Sequence, residues 1–160
     1  MTSITLRDVV ADDEAFLLEV YASSREQEMA LVPWTDDQRK AFLRMQAQAQ
    51  DTYYRAQFPS ATHQIILADD VAVGRLYVLR RDPEISILDI TLLTQYRGQG
   101  IGGTVLRDIL SEARAGGKTV SIYVESYNRS RGLFERMGFT RIGEEGINYL
   151  LEWRPANSPQ

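Results

Sequence analysis

The residues best suited to chemistry crowd into one short run, TQYRGQGIGGT, where four glycines follow an arginine. Glycine lets backbone amides approach an anion closely, and amides at a helix start carry roughly +0.5 of a charge. Arg97, followed by Gly98, Gly100, Gly102 and Gly103, is therefore a pattern for holding phosphate. Proton transfer calls for other side chains. Asp89 and Glu125 are candidate bases, and Tyr123, Tyr127 and Ser130 supply hydroxyls nearby in sequence. The single histidine, His63, has no second histidine for a metal cluster or a Ser-His-Asp triad and reads as surface or structural. No cysteine is present, which removes disulfides, thiolate metal sites and a thiol nucleophile. No metal is expected.

Three readings of the glycine run compete. Gly98 to Gly103 fits G-x-G-x-x-G, and Glu125 follows about 20 residues on, where a dinucleotide binder places its ribose acid. Against that, Thr94 to Arg97 separate the preceding strand from Gly98, and too little chain remains to finish a doubly wound half. The G-x-x-x-x-G spacing also suggests a P-loop, but Thr104 stands where the lysine belongs. An ordinary turn before a helix is the third reading. It fits poorly, because Gly100 to Thr104 contains no acid to balance the helix N-terminus and each glycine costs on the order of 1 kcal/mol relative to alanine. A bulky anion approaching bare amides accounts for both features.

Bulk properties frame what surrounds the run. The 160 residues, 44% hydrophobic and 25% charged, suit a single domain with one core. A net charge of −4 argues against non-specific nucleic-acid binding and mildly favours a cationic partner. No apolar run approaches the ~20 residues needed to cross a bilayer. The N-terminus lacks the pattern of a signal peptide, so a cytoplasmic location and no membrane partner are expected.

The elements that must position these residues follow from periodicity. Ile4 to Val10 reads as a strand. A helix starting at Ala11 to Glu14 carries the stripe Phe16, Leu17, Val20 and Tyr21. Thr35 caps a second helix from Asp36 to about Arg55, with Phe42, Leu43 and Met45 facing inward. Gln64 to Ala68, Val71 to Leu79 and Glu84 to Leu93 are strands whose short connections favour antiparallel pairing. Val105, Leu106, Ile109, Leu110 and Ala113 make one helical stripe, ended by Gly116 and Gly117. Thr119 to Glu125 is a strand, Ser130 to Met137 a short helix, and Phe139 to Ile142 and Ile147 to Trp153 the last strands. Residues 1–153 form the domain and Arg154 to Gln160 a frayed tail. The class is α/β (α+β): one mixed, largely antiparallel sheet with helices on both faces. On its strand, Asp89 alternates with Ile85, Ile87 and Thr91 and is placed among apolar neighbours, with pairing to Arg75 or exposure as the alternatives.

With these elements in order, TQYRGQGIGGTVLRDIL resembles the acyl-CoA pyrophosphate loop of the GNAT superfamily of N-acetyltransferases, whose R-x-x-G-x-G falls on Arg97, Gly100 and Gly102. NRSRGLFERMGF, Asn128 to Phe139, resembles the family's second CoA segment. The resemblance implies that the fourth and fifth strands splay apart to admit the pantetheine arm, with Leu92 and Leu93 pairing its amides. It implies that Arg97, Gly98, Gln99, Gly100, Ile101, Gly102, Gly103 and Thr104 wrap the diphosphate of acetyl-CoA. Asn128, Phe134 and Arg136 would hold the arm or line the cofactor. Asn128 could equally cap the helix that follows it.

The reaction implied is direct attack of an amine on the acetyl thioester, without a covalent enzyme intermediate. Asp89 is the first choice of base and Glu125 the second, acting through water. A backbone N–H near Leu92 would polarise the thioester oxygen. Many members carry Tyr where this chain has Phe134, so Tyr127 is the candidate acid, unless thiolate leaves unaided, which its pKa of ~8.5 permits. The acceptor would be a small-molecule or peptide amine, shaped by the segment Ser23 to Tyr54, with Trp34, Tyr53 and Tyr54 as candidate lining. The last strands could pair two copies into a homodimer. Phe134 also keeps open a non-catalytic acyl-CoA sensor or interaction module.

Overall fold

Alternating apolar residues build the sheet, and two sets of helices cover the faces that alternation leaves apolar. The computed structural model describes residues 1–128 and 130–156. In chain order the elements are β1 (Ile4–Asp8), a 3-10 turn (Ala11–Asp13), α1 (Glu14–Ser24), α2 (Glu26–Ala30), α3 (Asp36–Gln57), β2 (Thr62–Ala68), β3 (Val71–Arg80) and β4 (Glu84–Leu92). A second 3-10 turn (Thr94–Tyr96) leads to α4 (Ile101–Gly116), β5 (Thr119–Glu125), α5 (Arg131–Arg136), β6 (Thr140–Glu145) and β7 (Asn148–Trp153). Among the described residues the strands form one sheet in the order β1-β2-β3-β4-β5-β7-β6. Neighbours run antiparallel except β4 and β5. α4 makes the parallel crossover that such a pair requires.

The main core lies between the sheet and α4. Val105, Leu106, Ile109, Leu110 and Ala113 pack there with Ile85, Ile87, Val120, Ile122 and Phe134. On the opposite face α1 lies against β3 and β4 and is backed by α3. Thr35 caps α3 as expected: its hydroxyl accepts from the Gln38 amide, and Gln38 returns a bond to Thr35 N–H. Among the described residues no helix is long and apolar enough to cross a membrane.

Several local expectations change. β1 ends at Asp8 because Asp13 turns the chain, accepting from the Val10 amide and from both terminal nitrogens of Arg7. The chain breaks at Arg25 into the separate helix α2. Met45 is 55% exposed whereas Leu43 is buried. Two residues apart on a helix are turned by about 200°, so both could not face inward. Of the terminal segment, Arg154–Ala156 is described and 157–160 lies outside the described residues.

β4 carries a bulge. Tyr77 pairs with Asp89 but Val78 pairs with Ile87, so Leu88 is the extra residue. Tyr54 of α3 donates its hydroxyl to the Leu88 carbonyl at 3.2 Å, and burial pushes that phenol up to about 12. Tyr54 therefore anchors the bulge. The Tyr77 ring opposite stacks on His63 at 4.3 Å.

The His63 environment has a consequence for stability. Its Nε2 is buried without a hydrogen-bond partner among the described residues, and burial, ahead of the nearby Arg75, lowers its pKa from 6.5 to about 4. The unfolded chain takes up this proton first as pH falls. The imidazole's contribution is intact above about pH 6.5 and declines between there and about pH 4. His63→Phe should flatten the wild-type loss of stability across that window, as read from urea midpoints measured against pH. Parallel curves for the two proteins would contradict the assignment.

Candidate functional site

The site begins where the sheet opens. β4 and β5 pair only from Glu84 with Thr119 to Ile87 with Ile122, and beyond that point the two strands part. On the β3 side of the opening, the Leu93 amide bonds Val73 O at 2.9 Å. Antiparallel ladders alternate, so Leu92, in register with Gly74, turns its N–H and C=O away from β3, which leaves the N–H facing the opening while Arg97 takes the C=O. Ile90, two residues back, points the same way. The splayed strands expected from the sequence are present.

Leu93 changes its role. Its N–H is taken by Val73 O and its C=O by the Tyr96 amide, which leaves neither group for an arm lying in the opening. Leu92 and Ile90 are the pair that faces it. Ile90 was legible in principle, because residues two apart on a strand share a direction, but the register with β3 is needed to choose which pair.

At the end of the opening stands the glycine turn. Gly98 and Gly100 have φ of 76° and 83°, the left-handed region that a Cβ disfavours. The Arg97 amide bonds Thr94 O and the Thr104 amide bonds Gly100 O. Between them, none of the six amides from Gly98 to Gly103 donates to a protein acceptor among the described residues. The first turn of α4 holds no acid. A Cβ at Gly102 would lie 3.9 Å from both Leu92 and Leu133. Those side chains bring the end of β4, the start of α4 and α5 together around one turn.

Arg97 and Arg107 flank this turn in sequence, and Arg107 lies against it. Arg97 donates from Nε to Leu92 O at 3.1 Å and from Nη2 to Ser23 O at 3.4 Å. Gln99 bonds Gln95 O at 3.1 Å. Arg107, missed in the sequence, reaches the Thr104 hydroxyl at 3.3 Å, and Nη1 would lie 3.4 Å from a Cβ at Gly103. Its position three residues after Thr104 was the available signal. Arg136 folds back over Gly132. Asn128 accepts from the Ser130 amide at 2.8 Å, so it stabilises the turn that precedes α5, whose N-cap position is Ser130.

Phe134 is only 2% exposed and packs edge-on against Phe139 at 5.4 Å. It belongs to the core and does not line a cofactor surface. Phenylalanine at this position follows from its burial among apolar side chains, where a tyrosine hydroxyl would need a partner.

Asp89 takes the alternative of pairing with Arg75 and not the place among apolar neighbours. The bulge at Leu88 turns it off the face shared by Ile85 and Ile87 and toward α3. There it pairs with Arg75 Nε at 2.5 Å and accepts from the Thr91 hydroxyl at 2.9 Å. Arg75 also bonds Gln50 at 2.5 Å. Asp89 is thus one end of a satisfied network, not an acid among apolar neighbours.

Glu125 stands at the free end of β5. Arg25 Nη1 bridges it at 3.3 Å to Glu28 at 3.2 Å, and the same guanidinium lies over the Tyr21 ring. The Tyr127 hydroxyl bonds Glu28 at 3.4 Å. The adjoining Glu125 carboxylate, followed by partial desolvation and Glu28, pushes Tyr127 up to about 12. Tyr123 and Ser130 are exposed and outside this group. A cavity of about 400 Å³ lies between α1, α2, α3 and the turn after β4, lined by Glu19, Ser23, Glu26, Met29, Leu43 and Leu93 among others. Trp34, Tyr53 and Tyr54 do not line it. Trp34 packs on Phe42 and Tyr53 on Phe58.

With this geometry in view, the comparisons are informative. A family model described as "Acetyltransferase (GNAT) domain" matches residues 22–155. Among solved structures, a PaiA N-acetyltransferase from Thermoplasma acidophilum, crystallised with coenzyme A, is similar at TM-score 0.72 and 18% identity, covering 95% of this chain and 99% of its own. An acetyltransferase from Thermus thermophilus is similar at TM-score 0.69 and 14% identity, covering 95% and 97%. An acetyltransferase of the GNAT family from Staphylococcus aureus follows at 0.65 and 13%, covering 95% and 99%. No protein of curated function matches the sequence. At these identities the structural likeness concerns the fold.

The Arg75–Asp89 pair gives a direct test of its structural role. The Arg75 side chain is 9% exposed, so Asp89→Asn should leave a poorly compensated buried charge. A loss of about 2 kcal/mol in urea unfolding is expected, below the range for fully buried pairs because Asp89 is partly open to water. No change in the unfolding midpoint would show that the pair contributes nothing.

Proposed function

Because the chain belongs to the GNAT acetyltransferase family, we propose that it moves an acetyl group from acetyl-CoA directly to an amine acceptor. The observation that carries this reading is the run of six amides from Gly98 to Gly103 without protein acceptors among the described residues, at the start of a helix with no acid in its first turn. Such a turn suits a diphosphate, with Arg97 and Arg107 beside it and Arg136 on the neighbouring helix. When bound, acetyl-CoA supplies an activated acetyl thioester. The protein's part is to orient it, to polarise its carbonyl and to manage the amine's proton.

Leu92 and Ile90 present backbone N–H groups into the opening between β4 and β5, suited to an arm lying there as an added strand and to the thioester oxygen. Glu125 takes precedence over Asp89 as base. It sits at the free end of β5, while Asp89 is held by Arg75 and Thr91 on another face. Tyr127, with its pKa raised to about 12, keeps its proton at neutral pH and can donate a hydrogen bond to the leaving sulfur. The acceptor, a small-molecule or peptide amine, a cytoplasmic setting and pairing of two copies along the edge strand β6 complete the proposal.

Assays should find thiol release from acetyl-CoA in the presence of one member of an amine panel. Glu125→Gln should lower kcat about 100-fold, a modest general-base effect. Asp89→Asn should leave kcat within about threefold of wild type. Tyr127→Phe should cost about tenfold or less, since thiolate is a tolerable leaving group. Tight binding of nicotinamide dinucleotides with acetyl-CoA ignored would overturn the reading. Binding of acetyl-CoA without turnover on any amine would overturn transfer while leaving binding intact.

A further inference from the structure

A buried serine far from the glycine turn in sequence is wired into it. Ser23, near the end of α1, is 7% exposed. Its hydroxyl lies 2.9 Å from the Thr94 amide nitrogen and 2.7 Å from the Thr94 hydroxyl, and Thr94 Oγ1 is 3.0 Å from Glu26 Oε2. Only one arrangement of protons satisfies all three bonds. An ionised carboxylate only accepts, so the Thr94 hydroxyl donates to Glu26. Ser23 must then donate to Thr94 Oγ1 and accept from the Thr94 amide. The result is a directional chain from backbone N–H through two hydroxyls to a charge, in which each bond polarises the next.

This chain fixes the residue that follows Leu93 and precedes the glycine turn. One step back from Leu93, Leu92 faces the strand opening, and three steps on from Thr94, Arg97 returns its guanidinium to Leu92 O and to Ser23 O. Ser23 thus braces both ends of the segment that joins the opening to the bare amides. Ser23, Glu26 and Leu93 also form part of the wall of the 400 Å³ cavity. The hydroxyl connects the helices around that cavity to the turn.

We infer that Ser23 is a positioning residue, which through Thr94 and Glu26 holds the end of β4 and Arg97 in the geometry that receives the CoA diphosphate. The inference rests on the acyl-CoA reading of the turn. It assigns part of the affinity for the nucleotide to a side chain on α1, outside the glycine turn. Ser23 touches no reacting atom, so its loss should alter binding of acetyl-CoA more than turnover.

Isothermal titration of CoA, steady-state kinetics and thermal melts separate the outcomes. Ser23→Ala should raise the Kd for CoA and the KM for acetyl-CoA about tenfold, with kcat within about threefold of wild type. Thr94→Val keeps the amide but breaks the relay at an exposed position, so it folds independently of any burial effect and should weaken CoA several-fold. Ser23→Thr, which retains the hydroxyl, should restore most of the affinity. Wild-type binding with equal affinity in Ser23→Ala and Thr94→Val, whatever their melting temperatures, overturns the positioning role alone. Failure of the wild-type protein to bind CoA overturns the reading of the turn, and this inference with it.

Discussion

The short parallel pairing between β4 and β5 is the constraint on which the rest of the site depends. Two adjacent strands normally satisfy each other's backbone groups along their whole length. Here the ladder stops at Ile87 and Ile122, yet β4 continues to Leu92 and β5 to Glu125. Beyond that point the inner edges of the two strands make no strand pairing with one another among the described residues. Such an opening would close if the outer supports allowed it. They do not: β3 holds β4 through Leu93, β7 holds β5 from Val120 to Glu125, and Tyr54 captures the bulged Leu88 carbonyl. The separation is built by neighbours on the outside, so nothing within the gap has to hold it open.

α4 begins at the mouth of this opening, and its start is unfavourable taken alone. A helix N-terminus leaves amides unsatisfied, and acids or a capping side chain usually relieve them. The N-cap here is Gly100, with no side chain to offer, and the first turn holds no acid. Packing meets that cost further along, where Ile101, Val105, Leu106 and Ile109 are buried against the sheet. Stability is supplied by the apolar stripe, and the polar end is left free for what approaches it. Leu133 and Leu92 close the floor beneath Gly102, so exposed amides and an apolar base meet at one spot.

Much of this arrangement was legible in the sequence, and the failures share a cause. The glycine turn, the stripe of α4, the limits of β5 and the cap of α3 are local patterns, readable from spacing and residue type. Pairing with Arg75 was among the alternatives for Asp89, but its apolar surroundings were not met, because one extra residue at Leu88 inverts the alternation of β4 and a bulge has no signature in the run ILDITL. Leu93 failed for a related reason: direction along a strand depends on register with β3, which is non-local. Phe134 looked like a site residue lacking its hydroxyl, whereas its burial makes phenylalanine the fitting choice. Ser23 and Arg107 carry ordinary side chains whose meaning comes from partners, and Ser23 finds its partner 71 residues away. What spacing cannot convey is contact across the sheet.

The two shores of the opening differ in chemistry, and the difference follows from how each is anchored. β4 lies deep in the sheet with neighbours on both faces, so what it presents inward are backbone dipoles at Leu92 and Ile90, fixed in direction and without charge. β5 ends at a loop beside α2, where water reaches the side chains and ionisable groups can be held at moderate cost. Glu125, Glu28, Arg25 and Tyr127 gather there, the guanidinium set between two carboxylates. The proposed acetyl transfer to an amine would call for this division. A developing oxyanion is best met by rigid dipoles that need no reorganisation, whereas a proton leaving nitrogen is best met by a group that titrates and exchanges with solvent. Had the two been interchanged, a carboxylate beside the thioester oxygen would repel the charge that forms there.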